Sequence, residues 1–277
     1  GDPNAAPQGT YLLEKVVFSH ESQVITGQLN LTLTTPVPGT TIRYTTDVTS
    51  INPTWRTYNR PISIRETTRV TARLEQAGKE PGPLRDRTFI KLGSGMENVR
   101  SNLPLIIVDS FRRNLDGESS ANSQNPKRPV HGIFIDVDSD SGLASPTDLP
   151  DFEGRGGMRV RGQTSSGFAK KQYSFETWDS EGEDKDVSIF GFPEESDWVI
   201  HAPYSDKSLM RNKIVYETSL EMGYPAVRTR FCELYLNTNG GDVSAADYRG
   251  VYVFMEKIKR NSDRVNIKQL EKCDNDQ

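Results

Sequence analysis

Hydrophobic and polar positions divide the chain into two unlike parts. Between residues 14 and 91, apolar side chains recur every second residue in short stretches. Leu29, Leu31 and Leu33 alternate with Asn30 and Thr32, and Val70, Ala72 and Leu74 alternate with Arg69, Thr71 and Arg73. Ile42 and Tyr44 start another stretch, Ile62 and Ile64 a further one after Pro61, and Thr88, Phe89 and Ile90 close the set. A period of two sets one face of a strand on a core and the other in water. Pro36-Val37-Pro38-Gly39 and Pro81-Gly82-Pro83 supply turns. Short strands punctuated this way predict an all-β sandwich without helices.

Residues 92–102 are polar and carry Gly and Ser, which predicts a linker. The pattern then changes. Leu103-Pro-Leu-Ile-Ile-Val108 is a continuous apolar run, as expected of a buried strand, and residues 111–130 form a long polar loop. Ile133–Val137, Met158–Val160, Tyr173–Phe175, Trp198–Ile200, Phe231–Asn237 and Tyr248–Glu256 read as further strands. One helix is predicted. Ser205 or Asp206 caps it, Leu209, Met210, Ile214, Tyr216 and Leu220 recur at helical spacing, and Gly223 with Pro225 stops it. The expectation is a flexible stretch at 1–13, a sandwich at 14–91, and an α+β domain at 103–277. In that domain one main helix packs on an antiparallel or mixed sheet.

Composition narrows the function classes. Among 277 residues, 34 Lys+Arg face 38 Asp+Glu for a net charge of −4, which argues against a nucleic-acid binder with a basic face. The 34% hydrophobic content and mean hydropathy of −0.63 predict modest cores, while 11 Phe, 10 Tyr and 3 Trp argue against disorder. No apolar run approaches the roughly 18 to 20 residues of a membrane span. The two cysteines, Cys232 and Cys273, form no Cys-x-x-Cys pair, and His20, His131 and His201 show no metal-ligand spacing. A disulfide between the cysteines stays open, and Cys232 reads as a buried thiol inside a strand. The opening Gly-Asp-Pro-Asn-Ala-Ala-Pro-Gln-Gly lacks an apolar signal segment and reads as a processed or recombinant end.

Several segments invite chemistry. Gly162–Gly167 spaces its glycines like a phosphate loop, but Phe168 and Ala169 stand where Lys and Ser/Thr are needed. Asp136–Gly142 resembles the start of a calcium loop, yet Ser141 and Thr147 occupy the positions of the required Gly and Glu. Lys170 and Lys171 open a strand, so they face opposite sides and at most one enters a cleft, where an ammonium grips phosphate oxygens. Asp206 suits a helix N-terminus. Its i,i+5 spacing to Arg211 is poor for a bridge on one helix face. Arg211 or Asn212 turned toward the sheet would need a polar partner or ligand. Glu256 ends a strand before Lys257. No catalytic triad, carboxylate pair or metal cluster can be assembled.

Two resemblances add to this reading. Thr41-Ile-Arg-Tyr-Thr-Thr-Asp47, Pro53-Thr54, Tyr58-x-x-Pro61-Ile62 and Thr67-Thr68-x-Val70-x-Ala72 resemble the immunoglobulin-like C-terminal domain of chitobiase and β-hexosaminidase, over about residues 14–91. Val48 stands where that family usually has Gly. The resemblance implies an accessory module of a secreted or surface multidomain protein, and a glycan is the partner expected of the sandwich.

The second runs from Arg159-x-Arg161-Gly162 through Ser165-Ser166-x-Phe168-x-Lys170-Lys171-x-Tyr173-x-Phe175 and Gly191-x-Pro193-x-x-Ser196-Asp197-Trp198-Val199. It continues through Ala202-x-Tyr204-x-Asp206-Lys207-Ser208-Leu209-x-Arg211-Asn212, Glu233–Asn237, Tyr248-x-Gly250-Val-Tyr252 and Glu256-Lys257-Ile258. These pieces resemble the CotH family, the spore-coat-protein-H-like atypical protein kinases, over about residues 103–270. That resemblance implies a kinase-N-lobe-like domain, ATP and a divalent metal (Mg or Mn), and phosphorylation of secreted or envelope proteins. By analogy Lys170 or Lys171 holds phosphates, the helix from Asp206 acts as the kinase-type regulatory helix, and Glu256 lies near the interlobe hinge, with Asp206, Arg211, Asn212 and Glu256 as further nucleotide-binding candidates. The family's catalytic and metal-binding acids come from a later half, so this chain is expected to be a fragment without catalytic residues or metal ligands of its own. It would bind nucleotide without transferring phosphate. The rival expectation is a non-catalytic surface module using Trp55, Tyr58 and Trp178 to recognise a glycan or protein.

Overall fold

The computed structural model describes residues 11–48, 50, 52–116 and 126–268. Nine short strands build the N-terminal unit: β1 (Val17–Phe18), β2 (Gln23–Ile25), β3 (Leu29–Leu31), β4 (Leu33–Thr34), β5 (Thr41–Thr45), β6 (Arg56–Thr57), β7 (Ile62–Ile64), β8 (Thr68–Glu75) and β9 (Arg85–Lys91). A five-stranded sheet of order β2-β9-β8-β5-β6 stands beside the antiparallel pairs β3–β7 and β1–β4. Leu31, Leu33, Ile64, Val70, Leu74 and Phe89, at alternate positions of these strands, meet in one core. The period-two pattern thus produces the layered β unit that it predicts.

The C-terminal unit departs from expectation. Its seven strands are β10 (Leu105–Asp109), β11 (Arg128–Ile135), β12 (Phe152–Val160), β13 (Tyr173–Thr177), β14 (Asp197–His201), β15 (Thr229–Asn237) and β16 (Tyr248–Glu256). They close into a barrel of order β10-β11-β12-β13-β14-β16-β15, in place of the expected kinase-lobe-like sheet. All neighbours are antiparallel except β10 and β15, whose parallel pairing seals the ring. The apolar run of β10 explains the closure, because both its faces are buried. Ile106 and Val108 point into the barrel, while Leu105 and Ile107 join Leu92, Met96, Ile133 and Val243 outside it.

The barrel interior is aromatic. The Phe134 ring centre lies 5.1 Å from that of Phe175 and 5.4 Å from that of Phe254, and Phe254 stacks on Trp198 at 5.1 Å. Room for these rings comes from glycine. A Cβ at Gly132 would approach the Phe175 ring to 2.9 Å, and one at Gly156 to 2.8 Å.

Helix α1 (Arg211–Glu221) begins five residues later than Asp206 and buries no residue fully. Leu209 takes a left-handed φ of 61°, which turns the chain before the helix and lets the Asp206 carboxylate accept the Arg211 N–H at 2.9 Å. At the other end Gly223 is left-handed (φ 81°). The Tyr224 N–H reaches the Ser219 carbonyl and the Gly223 N–H that of Leu220, a Schellman stop. The expected packing on the sheet is met by few side chains, Tyr216 and Lys213 among them. Met210 and Ile214 are 46% and 50% exposed, and only Tyr216 packs against the small cluster of Val199, Val227 and Met255.

The segment expected as a linker lies against the barrel. Leu92 and Met96 are buried, and the backbone of Lys91 and Gly93 pairs with Val243 at 2.8 Å on each side. A buried cation adds to the seam. Arg69 of β8 donates from Nη2 to the Val130 carbonyl of β11 (3.0 Å) and from Nε to Thr88 (3.2 Å), beside Asp86 at 3.8 Å. Burial, then the neighbouring Arg155, brings the Arg69 pKa down to about 9. Among the described residues, no helix is long and apolar enough to cross a membrane.

Candidate functional site

The chain between β12 and β13, residues 161–172, folds over one rim of the barrel. Gly162 carries the turn at φ 92°, and a Cβ there would run into the Ser165 hydroxyl. The Arg161 N–H still bonds to the Gln172 carbonyl at 2.9 Å, so the two strands continue in register beneath the loop.

Lys170 and Lys171 diverge, as adjacent residues on an extended chain must. Lys170 Nζ donates to the Val251 carbonyl at 2.6 Å and lies 4.4 Å from the Tyr252 ring centre. Gly250 admits it, since a Cβ there would stand 3.3 Å from the ammonium. Burial lowers the Lys170 pKa. Lys171 Nζ donates to the Ser166 carbonyl at 2.7 Å, and its own carbonyl accepts the Tyr252 hydroxyl at 3.0 Å. Neither ammonium makes an ion pair with a described carboxylate. Each has three hydrogens and one carbonyl partner, which leaves donors for an anion.

A polar relay runs beside them. Gln172 Nε2 donates to Ser165 Oγ (2.6 Å), and Gln172 Oε1 meets His201 Nδ1 at 2.9 Å. Asn212 Nδ2 lies 3.2 Å from His201 Nε2. The amide of Asn212 can only donate to that nitrogen, so His201 carries its proton on Nδ1 and gives it to Gln172. Burial, then Arg161, lowers the His201 pKa and keeps the ring neutral. Phe168 packs on Tyr204, with ring centres 5.2 Å apart, and so closes the loop against the segment leading to α1.

The expected site residues therefore separate. Lys170, Lys171 and Asn212 share this rim. Asp206 and Arg211 pair with each other at 3.5 Å, because Asp206 lies outside the helix, and Ser208 also donates to the carboxylate. The same carboxylate accepts the Arg211 backbone N–H and so secures the start of the helix. Glu256 lies at the far end of β16, about 16 Å along the strand from Val251 at ~3.3 Å per residue. It is 1% exposed and accepts Arg228 N and Nη1, both at 2.8 Å. Arg264 adds a third contact at 3.6 Å. His201 and Gln172 were missed by sequence reasoning. The only signal was a polar residue ending each of two apolar strand patterns, which is common.

Other candidates resolve. Asp138 accepts the N–H groups of Asp140 and Ser141 as an ordinary turn, and Asp136 pairs with Arg230. Burial pushes the Cys232 thiol up to about 12, while Cys273 lies outside the described residues. The three aromatic residues of the surface-module expectation are each engaged internally. Arg73 lies over Trp55, Tyr58 meets Tyr44 edge-on, and Trp178 donates to Glu176.

Comparison with known families bears on this rim. Residues 158–276 match the family model CotH kinase protein. The match begins in β12 and takes in the loop, both lysines, His201, α1 and Glu256, so the CotH-type region holds every expected site residue. Residues 21–84 match the chitobiase/beta-hexosaminidase C-terminal domain, which makes the N-terminal unit immunoglobulin-like. No curated protein matches the chain.

The nucleotide that the CotH match suggests can be tested against these groups. Two ammonium groups without carboxylate partners, beside a neutral amide–imidazole relay, suit phosphate oxygens. A metal is different. Among the described residues, no group of three His, Cys, Asp or Glu side chains could hold an ion.

Proposed function

We propose that this chain is the nucleotide-gripping part of a CotH-like protein kinase that acts on extracellular or envelope proteins. The observation that carries the reading is the pair Lys170 and Lys171, uncompensated by carboxylates, at the barrel rim inside the segment matched to CotH kinase protein. Lys171 is the phosphate contact, since Lys170 is packed on Tyr252 and bonded to Val251. The loop at 162–169 covers the phosphates, and Asn212 positions His201 beside them. ATP is the nucleotide and a divalent metal accompanies its phosphates. The chitobiase-type domain supports placement outside the cell. Phosphoryl transfer needs metal-holding acids in addition to positioning. The described residues gather no such set, so the expected outcome is binding without turnover.

Titration calorimetry of Mg·ATP into the chain tests this. Saturable binding, weakened at least about tenfold by Lys171→Ala, is expected for the loss of a charge-assisted contact. No binding, or binding indifferent to both Lys170→Ala and Lys171→Ala, would sink the proposal. Phosphate transfer by the chain alone that depends on Lys171 would overturn the expectation of binding without turnover.

A further inference from the structure

We propose that the cavity at the seam between sandwich and barrel binds a small zwitterion, its ammonium on Asp109 and its carboxylate on Arg112. The inference is independent of the nucleotide reading. The cavity, about 320 Å³, is walled by Thr46, Glu66 and Thr68 of the sandwich and by Asp109, Phe111 and Arg112 of the barrel.

Asp109 ends β10 and is 1% exposed. Its Oδ1 accepts the Phe111 N–H at 2.8 Å, while Oδ2, equally buried, has no partner. A buried acceptor without a donor is costly, and a ligand N–H supplies one. Burial raises the carboxyl to about 6, so it is ionised at neutral pH and attracts a cation. Glu66, on the rim, makes no ion pair with any described residue.

Arg112 is the opposite pole, and its guanidinium also makes no ion pair with a described residue. The fold holds it there at a cost. Phe111 and Arg112 both take left-handed backbone conformations, φ 51° and 67°, which side-chain-bearing residues avoid. Gly240, also left-handed at φ 75°, lacks the Cβ that would collide with the Arg112 stem. Arg69 covers one face of Phe111 at 4.5 Å. The cavity thus keeps unpaired charges of both signs apart. A lone cation would leave Arg112 unpaired and meet the field of Arg69, and a lone anion would face Asp109. A ligand carrying both charges satisfies both.

The test is calorimetry on the full chain with glycine, β-alanine and γ-aminobutyrate, beside ethylamine and acetate as single-charge probes. At least one zwitterion should saturate, with both single-charge probes at least about tenfold weaker. Arg112→Gln and Glu66→Gln alter exposed side chains and should leave folding intact. Arg112→Gln should weaken zwitterion binding about tenfold, and Asp109→Asn should weaken it further. The proposal is overturned if no zwitterion binds, if ethylamine binds as tightly as the best zwitterion, or if Arg112→Gln has no effect.

Discussion

The two rims of the barrel treat charge in opposite ways. Where β13 begins, Lys170 and Lys171 meet only carbonyls and a tyrosine ring. Where β13 ends, nearly every charge has an opposite neighbour. Lys127 pairs with Glu176 and Asp197, Lys257 and Lys259 with Asp197, Lys259 and Arg264 with Glu195, and Arg228 and Arg264 with Glu256. Buried charge persists when it is compensated within the fold, and the second rim is compensated. The first is not. An ammonium held near a protein surface with donors unused is the arrangement that an anionic ligand completes.

Substitutions should separate the rims, beginning with the largest effect. Glu256→Gln takes from Arg228 its carboxylate and leaves the buried Arg264 with Glu195 alone, and a loss of about 3 kcal/mol in urea unfolding is expected. Nucleotide affinity should stay unchanged; a parallel loss would mean that the rims are coupled.

Acid should act next, and at the same rim. Burial alone would raise the Asp197 carboxyl, but Lys257, Lys127 and Lys259 outweigh it and bring the pKa down to about 2 from 3.8. A carboxylate depressed in the folded state contributes stability above its unfolded pKa and loses it as pH falls through the folded value. Unfolding measured from pH 4 down to pH 2 should therefore show a loss of about 2 kcal/mol that Asp197→Asn abolishes.

Lys171→Ala should invert the pattern, with a stability loss of no more than about 1 kcal/mol because the half-buried side chain forfeits one hydrogen bond, to the Ser166 carbonyl. Its effect belongs to nucleotide affinity, and a stability loss as large as that of Glu256→Gln would erase the contrast between rims. Smallest is Asn212→Ala, at about 0.5 kcal/mol for one partly exposed hydrogen bond. That bond favours neutral His201, so NMR titration should show the ring pKa rising toward its ordinary value, and no rise would refute the assigned tautomer.

Much of the fold was legible in local patterns, because alternation and apolar runs are local facts. The strands around Leu31, Val70, Ile107, Tyr173 and Tyr252 fall where the pattern placed them, and Gly223 stops the helix as read. What the pattern hid depends on residues remote in sequence. Closure needs Leu105 beside Glu233, and nothing near either residue announces the other. The helix misled because Met210, Ile214 and Leu220 have core-like spacing but stay partly exposed. The site was half legible. Adjacent lysines on a strand implied side chains that diverge, as they do, but His201 and Gln172 become partners only through the β13–β14 pairing.

The parallel seam between β10 and β15 also sets a schedule for the nascent chain. Strand β10 is the first of the seven to be made, yet the partner for its second edge follows more than a hundred residues later, after β11 to β14. Until β15 arrives, an apolar strand with a row of unsatisfied amides stands open to other chains. Contacts so distant in sequence form slowly. Ribosome-bound intermediates halted before Thr229 should therefore be the aggregation-prone species, and those halted well beyond Glu256 should be protected.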